Sequence, residues 1–332
     1  MKEQQEFIFI SAQPDVPYFH WQCEIYIQNF IRMGIDKNRI FVLFAFVDNN
    51  TKLSEGAEKL KILTPNVFGF SDQRERKHYI PSIKPYLIYK FLEKYPEKGK
   101  TFFLHDSDII FNYLPDFDSL INDDLQYLSD TTGYINFEYI MDCDRRYKSN
   151  HKELENGMLL REMVDVIGVE PSEVKKYSKD SGGAQYLLKN QTWFVWYKIY
   201  KDSTLLYDKM KRFHTRYPII DGEIQFWTAE MWSILWNLWW WKYQTKVTDQ
   251  LKFCWATDPI SFCDNHPILH MAGITEELKK EHFYKGDFID INPITTMKKN
   301  PKCFDYVIDS SSTNKYLSEI KKLLQKSNFD YL

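Results

Sequence analysis

No G-x-G-x-x-G follows the first apolar run of this 332-residue chain, and no G-x-x-x-x-G-K-[ST] occurs in it. The first absence argues against a dinucleotide-binding Rossmann enzyme, and the second removes P-loop chemistry. Cysteine is scarce and unpatterned: Cys23, Cys143, Cys254, Cys263 and Cys303 are odd in number and contain no C-x-x-C. That spacing disfavours a zinc site and predicts five reduced thiols in a cytosolic protein. Long apolar runs are missing as well. The Trp-rich stretch Trp236 to Trp241 is broken by Asn237 and followed by Lys242, too short for a membrane span. The opening MKEQQEFIFISAQ carries acidic residues and too short an apolar run for a signal peptide or anchor. A net charge of -3 gives no overall pull toward nucleic acid or an anionic membrane. A cytoplasmic protein with no membrane partner is the expectation.

What is present describes a globular protein of enzyme size, with 44% hydrophobic and 27% charged residues. Aromatic content of 17% is high enough to suit a broad core and a stacking cleft. Phe7 to Ser11 reads as a first strand broken at Gln13-Pro14. Phe19, Cys23, Tyr26, Ile27 and Phe30 recur at helical spacing, and Gly34 closes that helix. Ile40 to Val47 is a nearly all-apolar strand of the kind a sheet covers on both faces. Lys52 to Leu63 is weakly helical, and Ser82-Ile83-Lys84-Pro85 opens a helix whose stripe is Ile83, Leu87, Ile88, Phe91 and Leu92. Leu125 to Leu128 is a further strand. This alternation predicts an α/β fold, a sheet flanked by helices, with ligands at the carboxyl ends of the strands.

The chain is organised around Thr101 to Phe111, TFFLHDSDIIF. A short apolar strand ends in Asp106 and Asp108, separated only by Ser107. Two carboxylates at the end of a buried strand are costly unless something positive compensates them. A hard divalent cation such as Mn²⁺ or Mg²⁺ does so and can also grip a diphosphate; the alternative is a solvated Asp-Ser-Asp turn. Later, His270 in His266-Pro267-Ile268-Leu269-His270-Met271-Ala272-Gly273 is placed to complete such a shell, or is a structural histidine.

Other residues complete the candidate set. Lys84 sits beside a helix N-terminus, where an anion docks, or else lies in solvent. Gly182 and Gly183 precede Gln185 in a segment read as opening a helix packed by Tyr186, Leu187 and Leu188; their missing side chains let another group approach the backbone. Glu153 to Val166 is a further expected helix. The segment WTAEMWSILWNLWWWKY from Trp227 is apolar all round, so its helix is buried on both faces. Glu230 on that helix has its pKa raised or is held by a partner, and is a candidate for chemistry or acceptor binding; the alternative is a structural glutamate paired with Arg or Lys. Lys201, Lys209, Lys211, Arg212, His214 and Arg216, interleaved with Tyr207, Phe213 and Tyr217, form either a phosphate-gripping surface or a solvated helix face. The tail Asn314 to Leu332 is a basic amphipathic helix, most simply a surface element.

HDSDIIF, SDTTGY, SGGAQYLLK, W-x-x-E-M and a late H-x-x-G, in that order, resemble the GT-A class glycosyltransferases. Within that class they are most similar to the hydroxyproline O-arabinosyltransferases and peptidyl-serine galactosyltransferases, over about Phe7 to Gly273. The resemblance implies a GT-A mixed sheet flanked by helices, with a helical, aromatic-rich C-terminal half. It divides the chain into a catalytic domain at 1–275 (nucleotide-binding half 1–130, acceptor half 131–275) and a helical extension at 276–332. It implies a UDP-sugar donor, a divalent metal, and transfer to a hydroxyl with retained anomeric configuration. Carried over by motif, Asp106 touches the ribose or the metal, and Asp108 and His270 ligate the metal. Ser11, Lys84, Asp106, Ser107, Gly182, Gly183 and Gln185 are donor-binding. Glu230 and Asp108 are catalytic, and Trp227, Glu230, Lys211 and Arg212 are acceptor-binding. The family's members are membrane-anchored secretory proteins, which this chain does not resemble. The expected acceptor is therefore a cytosolic hydroxyl: a hydroxymethylated pyrimidine in phage DNA, a surface glycan or a protein side chain. A carbohydrate- or nucleic-acid-binding module that lost turnover is the rival reading.

Overall fold

The computed structural model describes residues 7–47 and 50–327. The acidic opening segment and the last five residues of the tail, on which two of the expectations above fall, lie outside the described residues. In chain order the strands are β1 (Phe7–Pro14), β2 (Ile40–Phe46), β3 (Asn66–Ser71), β4 (Thr101–His105), β5 (Ile109–Phe111), β6 (Gln126–Asp130), β7 (Gly182–Lys189), β8 (Thr245–Val247), β9 (Phe253–Trp255) and β10 (Ile268–His270). The helices are α1 (Pro17–Arg32), α2 (Glu55–Lys59), α3 (Ile83–Lys94), α4 (Thr132–Ile135), α5 (Phe137–Asn150) and α6 (Met158–Ile167). They continue with α7 (Pro171–Lys176), α8 (Trp193–Arg216), α9 (Ala229–Trp240), α10 (Ile260–Cys263), α11 (Pro293–Lys299) and α12 (Thr313–Ser327). The α/β class with a mixed sheet and flanking helices is the one expected. Among the described residues no helix is long and apolar enough to cross a membrane.

The chain divides into two compact units. One gathers Ile8–Asp72, His105–Phe117 and Gln250–Leu332. Its parallel strands run in the order β3-β2-β1, with Ser11 opposite Val42 and Val42 opposite Val67. β1 continues through Gln13 to Pro14, past the expected break, with Pro14 at the strand's last position. β3, which the sequence reading missed, is short and only partly buried, so its apolar signal is weak. This unit also holds a small sheet, β5-β10-β9. Trp21 and Ile25 of α1 pack with Ile110, Leu269, Phe283 and Phe288 in a shared core. The tail helix α12 is part of that core, burying Tyr316, Leu317, Ile320 and Leu323, rather than a mere surface element.

A disulfide joins Cys254 of β9 to Cys263 of α10, correcting the expectation of five reduced thiols. The two lie nine positions apart, outside the short spacings that flag a pair in sequence. The turn between β9 and α10 nevertheless brings their Cα atoms to 5.3 Å, a normal bridging distance. Cys23, Cys143 and Cys303 are thiols.

The other unit comprises Met1–Phe7, Gln73–Leu104 and Asp118–Asp249. Its strands run β4-β7-β6-β8, with β7 antiparallel to both neighbours and β6 parallel to β8. The segment from Gly182 is thus a strand, not the start of a helix. All eight of its residues are buried, and a run buried on both faces, with Gln185 and Lys189 among its residues, carries no apolar-polar alternation to separate strand from helix. Helix α8, 24 residues long, packs against α3 and α9. The expected helix at Glu153 to Val166 begins only at Met158, after Gly157 in a left-handed conformation, and α5 before it went unread. α9 is buried from Ala229 to Trp239, as its all-round apolarity demands.

Candidate functional site

Asp106, Ser107 and Asp108 form the turn between β4 and β5, and α1 holds that turn in place. Ser107 Oγ donates to Gln22 Oε1 at 3.0 Å. Asn29 clamps β5 by donating to Phe111 O and accepting from Phe111 N, at 3.1 and 2.8 Å. His105 is packed edge-on against Tyr26 and donates from Nδ1 to Asp106 O at 2.8 Å. β5 then pairs antiparallel with β10, setting Ile109 opposite His270. One residue further along each strand, Met271 N donates to Asp108 O at 2.9 Å. Strand pairing thus joins residues 161 and 163 positions apart in sequence.

The result is a compact acidic pocket with one imidazole. His270 Nε2 lies 3.3 Å from Asp108 Oδ1 and 3.6 Å from Asp106 Oδ2. One ligand atom from each of the three residues can be chosen so that all lie within 4.8 Å of one another. The His270 ring stacks on Trp255 at 5.3 Å, and Phe253 packs against it at 5.7 Å, so the imidazole is fixed in direction. Asp108 and His270 are buried, whereas Asp106 remains partly open to solvent. Two carboxylate oxygens and a neutral imidazole nitrogen suit Mn²⁺ or Mg²⁺, which keep further positions for water and phosphate oxygens. The residues fit the group.

The sequence reading missed Lys285. Its Nζ donates to Asp108 Oδ2, the oxygen turned away from His270. Burial pushes the Asp108 carboxyl up, but the Lys285 ammonium and the His270 ring outweigh it and hold Asp108 well below the usual carboxylate range. Burial likewise works to lower the Lys285 value, and Asp108 more than offsets it, leaving that ammonium above its ordinary value. A lone lysine beyond Lys279 and Lys280 carries no motif, and nothing in the sequence marks it.

Ser11 is fully buried on β1, its hydroxyl paired with Tyr26 OH at 2.7 Å.

The remaining candidates belong to the other unit. Lys84, in the first turn of α3, lies with its Nζ 3.4 Å from Glu230 Oε1 in the first turn of α9. Glu230 is buried and Lys84 half-buried, at 5% and 13% exposed, the lysine-paired arrangement that stood as the structural alternative for Glu230. Tyr79 OH accepts from Glu230 N at 2.9 Å and donates to Trp227 O at 2.6 Å. Trp227 presents its ring edge-on to Tyr79 and is 57% exposed, which leaves much of the indole free to meet a ligand.

Gly182, Gly183 and Gln185 line up along β7. A Cβ on Gly182 would come within 2.4 Å of Ser129 O, so its close neighbour is the backbone of β6. A Cβ on Gly183 would meet Met231 Cε at 2.6 Å and Tyr186 OH at 2.8 Å. Gln185 Oε1 accepts from Ser129 Oγ at 2.8 Å. The β6–β7 register shifts between Leu128 and Asp130, and across from that shift Ala184 adopts a left-handed φ of 66°. Such strain in a strand is uncommon for a residue with a Cβ.

Lys211 and Arg212 are exposed on α8 and, with Asp208, Thr215 and Arg216, line an open hollow of about 490 Å³. The wider basic run is partly neutralised. Lys201 pairs with Glu75, Lys209 with Glu162, and Asp208 with Arg76 and His78.

No protein-family model and no curated protein matches the chain. Among solved structures it is similar to the bifunctional glycosyltransferase WbbM, at 11% identity and a TM-score of 0.46 over 92% of this chain and 52% of that one. The chain thus spans about half the length of that protein. It is also similar to mouse xyloside xylosyltransferase 1, at 10% identity and a TM-score of 0.39 over 81% and 99% of the two chains. A third is the glycosyltransferase GlyE of Streptococcus pneumoniae TIGR4, at 10% identity and a TM-score of 0.37 over 97% and 63%.

Proposed function

We propose that the chain is a metal-dependent glycosyltransferase that moves a sugar, with arabinose or galactose favoured, from a UDP-sugar to a hydroxyl acceptor with retained configuration. The observation that carries this reading is the convergence of Asp106, Asp108 and His270, with ligand atoms within 4.8 Å of one another.

Asp106 Oδ2, Asp108 Oδ1 and His270 Nε2 would hold Mn²⁺ or Mg²⁺. When bound, such an ion supplies positive charge against the negative charge that develops on the leaving diphosphate. The protein's own part is to fix these ligands. Trp255 holds the imidazole plane, Gln22 holds Ser107, and the Met271–Asp108 main-chain bond sets the carboxylate against the histidine. In the other unit, Gly182, Gly183 and Gln185 are assigned to the donor sugar, with Ala184 as the strained point of that strand. Lys84 pairs with Glu230, and we assign the paired carboxylate to orienting the acceptor. That role is in keeping with a retaining reaction. Trp227 offers the exposed ring on which a sugar or base stacks. Lys211 and Arg212 are assigned to an anionic acceptor, of which a hydroxymethylated pyrimidine in phage DNA is one form. A glycan or protein hydroxyl is the alternative.

UDP release from a panel of UDP-sugars, measured with Mn²⁺ and again after chelation, tests the reading. Release that needs the metal and disappears in Asp108→Ala supports it. Binding of sugars or oligonucleotides with no metal-dependent turnover would favour a non-catalytic module instead.

A further inference from the structure

Asp106 and Asp108 place two negative charges in one pocket, and Lys285 returns one positive charge to it. The lysine is no loose surface group. Its side chain is 17% exposed, and the segment that carries it is anchored on both sides. Phe283 and Phe288 lie in the core of this unit, and Trp21 Nε1 of α1 donates to Phe288 O at 3.0 Å. A lysine meets a large desolvation cost on entering such surroundings, offset here first by Asp108 and further by Tyr18 and Asp106. Its contact is selective. Nζ takes Oδ2 of Asp108, while Oδ1 faces His270. A cation held by Asp106, Asp108 and His270 would share one carboxylate with an ammonium fixed beside it, and two neighbouring positive charges repel.

Resting on the metal-dependent reading above, we propose that Lys285 is a built-in rival to the divalent cation, weakening its binding until the donor diphosphate arrives and thereby making metal and nucleotide bind cooperatively. With Lys285 on Asp108, the pocket offers a divalent ion one net negative charge instead of two. A nucleotide diphosphate supplies the missing charge, relieving the repulsion and giving the ammonium a further anionic partner beside Asp108 and Asp106. Metal and donor then each raise the other's affinity by the same factor, as linkage requires.

The test titrates Mn²⁺ into the full chain by calorimetry, with and without UDP. In the wild type, UDP should tighten Mn²⁺ binding by about tenfold or more, within the range typical of coupled sites. Lys285→Met should tighten Mn²⁺ binding in the absence of UDP by about tenfold, through loss of a nearby like charge, and should shrink the effect of UDP. Lys285→Arg keeps the charge and should behave as the wild type. Lys285→Gln is the second neutral variant should the methionine fail to fold, with circular dichroism as the check. Unchanged or weaker Mn²⁺ binding in the folded neutral variants would overturn the proposal while leaving the metal site standing. Absence of Mn²⁺ binding in the wild type, with or without UDP, would overturn the metal reading and the proposal with it.

Discussion

His270 Nε2 and Asp108 Oδ1 stand 3.3 Å apart because β5 and β10 pair in a register that sets Ile109 opposite His270. The imidazole therefore reaches the site on a strand, backed by Trp255, and its position owes nothing to a flexible loop. His270→Ala should weaken Mn²⁺ binding by at least about tenfold, the scale set by losing even an outer-shell partner of a metal ligand. Trp255→Ala should weaken it less, because the histidine remains but loses its backing. Mn²⁺ titration followed by electron paramagnetic resonance reads both, and equal binding by His270→Ala and the wild type would count against the ligand set.

Asp108 and Lys285 form a buried pair, and breaking it from one side should cost more than removing it whole. Asp108→Asn leaves an ammonium unpaired and should destabilise the metal-free chain by about 3 kcal/mol. Asp108→Asn combined with Lys285→Met should recover most of that loss, which urea denaturation of the four species would show.

The same pair gives a pH dependence of stability with a determined sign. The folded Asp108 value is depressed, so its contribution is present above the unfolded carboxylate value, about 3.9, and fades as pH falls below it. The folded Lys285 value is raised, so its contribution is present below the unfolded lysine value, about 10.4, and fades as pH rises through the folded value. The stability difference between wild type and double variant should be flat between about pH 5 and 10 and should decline on both sides. A difference that grew toward acid would contradict the pairing.

Glu230, paired with Lys84, should matter for the acceptor more than for the donor. Glu230→Gln should lower sugar transfer by about a hundredfold or less, at the low end for loss of a positioned acid or base, while donor hydrolysis in water persists. Parallel assays of transfer and of UDP release separate the two. Equal loss of both would point to a donor-side role.

The two glycines of β7 should respond differently to alanine. Gly182→Ala drives a Cβ against Ser129 O, backbone that cannot move without breaking the β6–β7 pairing, and should cost about 3 kcal/mol. Gly183→Ala meets only the far ends of Met231 and Tyr186, which can shift, and should cost about 1 kcal/mol. Urea unfolding ranks the pair, and the reverse order would show that the approach of β6 is not what requires glycine.

Much of the framework could be read from the chain because it rests on local pattern. β1, β2, β4, α1, α3 and α9 each announce themselves by apolar periodicity or by a buried apolar run, and the Asp106–Asp108 pair stands out at a strand end. His270 was legible for a similar reason, a polar residue after an apolar approach. β7 was misread because a strand buried on both faces loses its alternation, and two glycines look like a turn. Lys285 and the Lys84–Glu230 pair were invisible as pairs, since partners 177 and 146 positions apart are joined only by tertiary packing. The Cys254–Cys263 bridge hid for a related reason, its spacing matching no short motif.

Crystals soaked with Mn²⁺ and UDP, with anomalous scattering recorded at the manganese edge, address the central claim most directly. A single strong peak within coordinating distance of Asp106, Asp108 and His270 is the expected result, with the diphosphate on its open side. A map with no manganese at those three residues, or with the ion held elsewhere, would contradict a metal-dependent transferase built on this site.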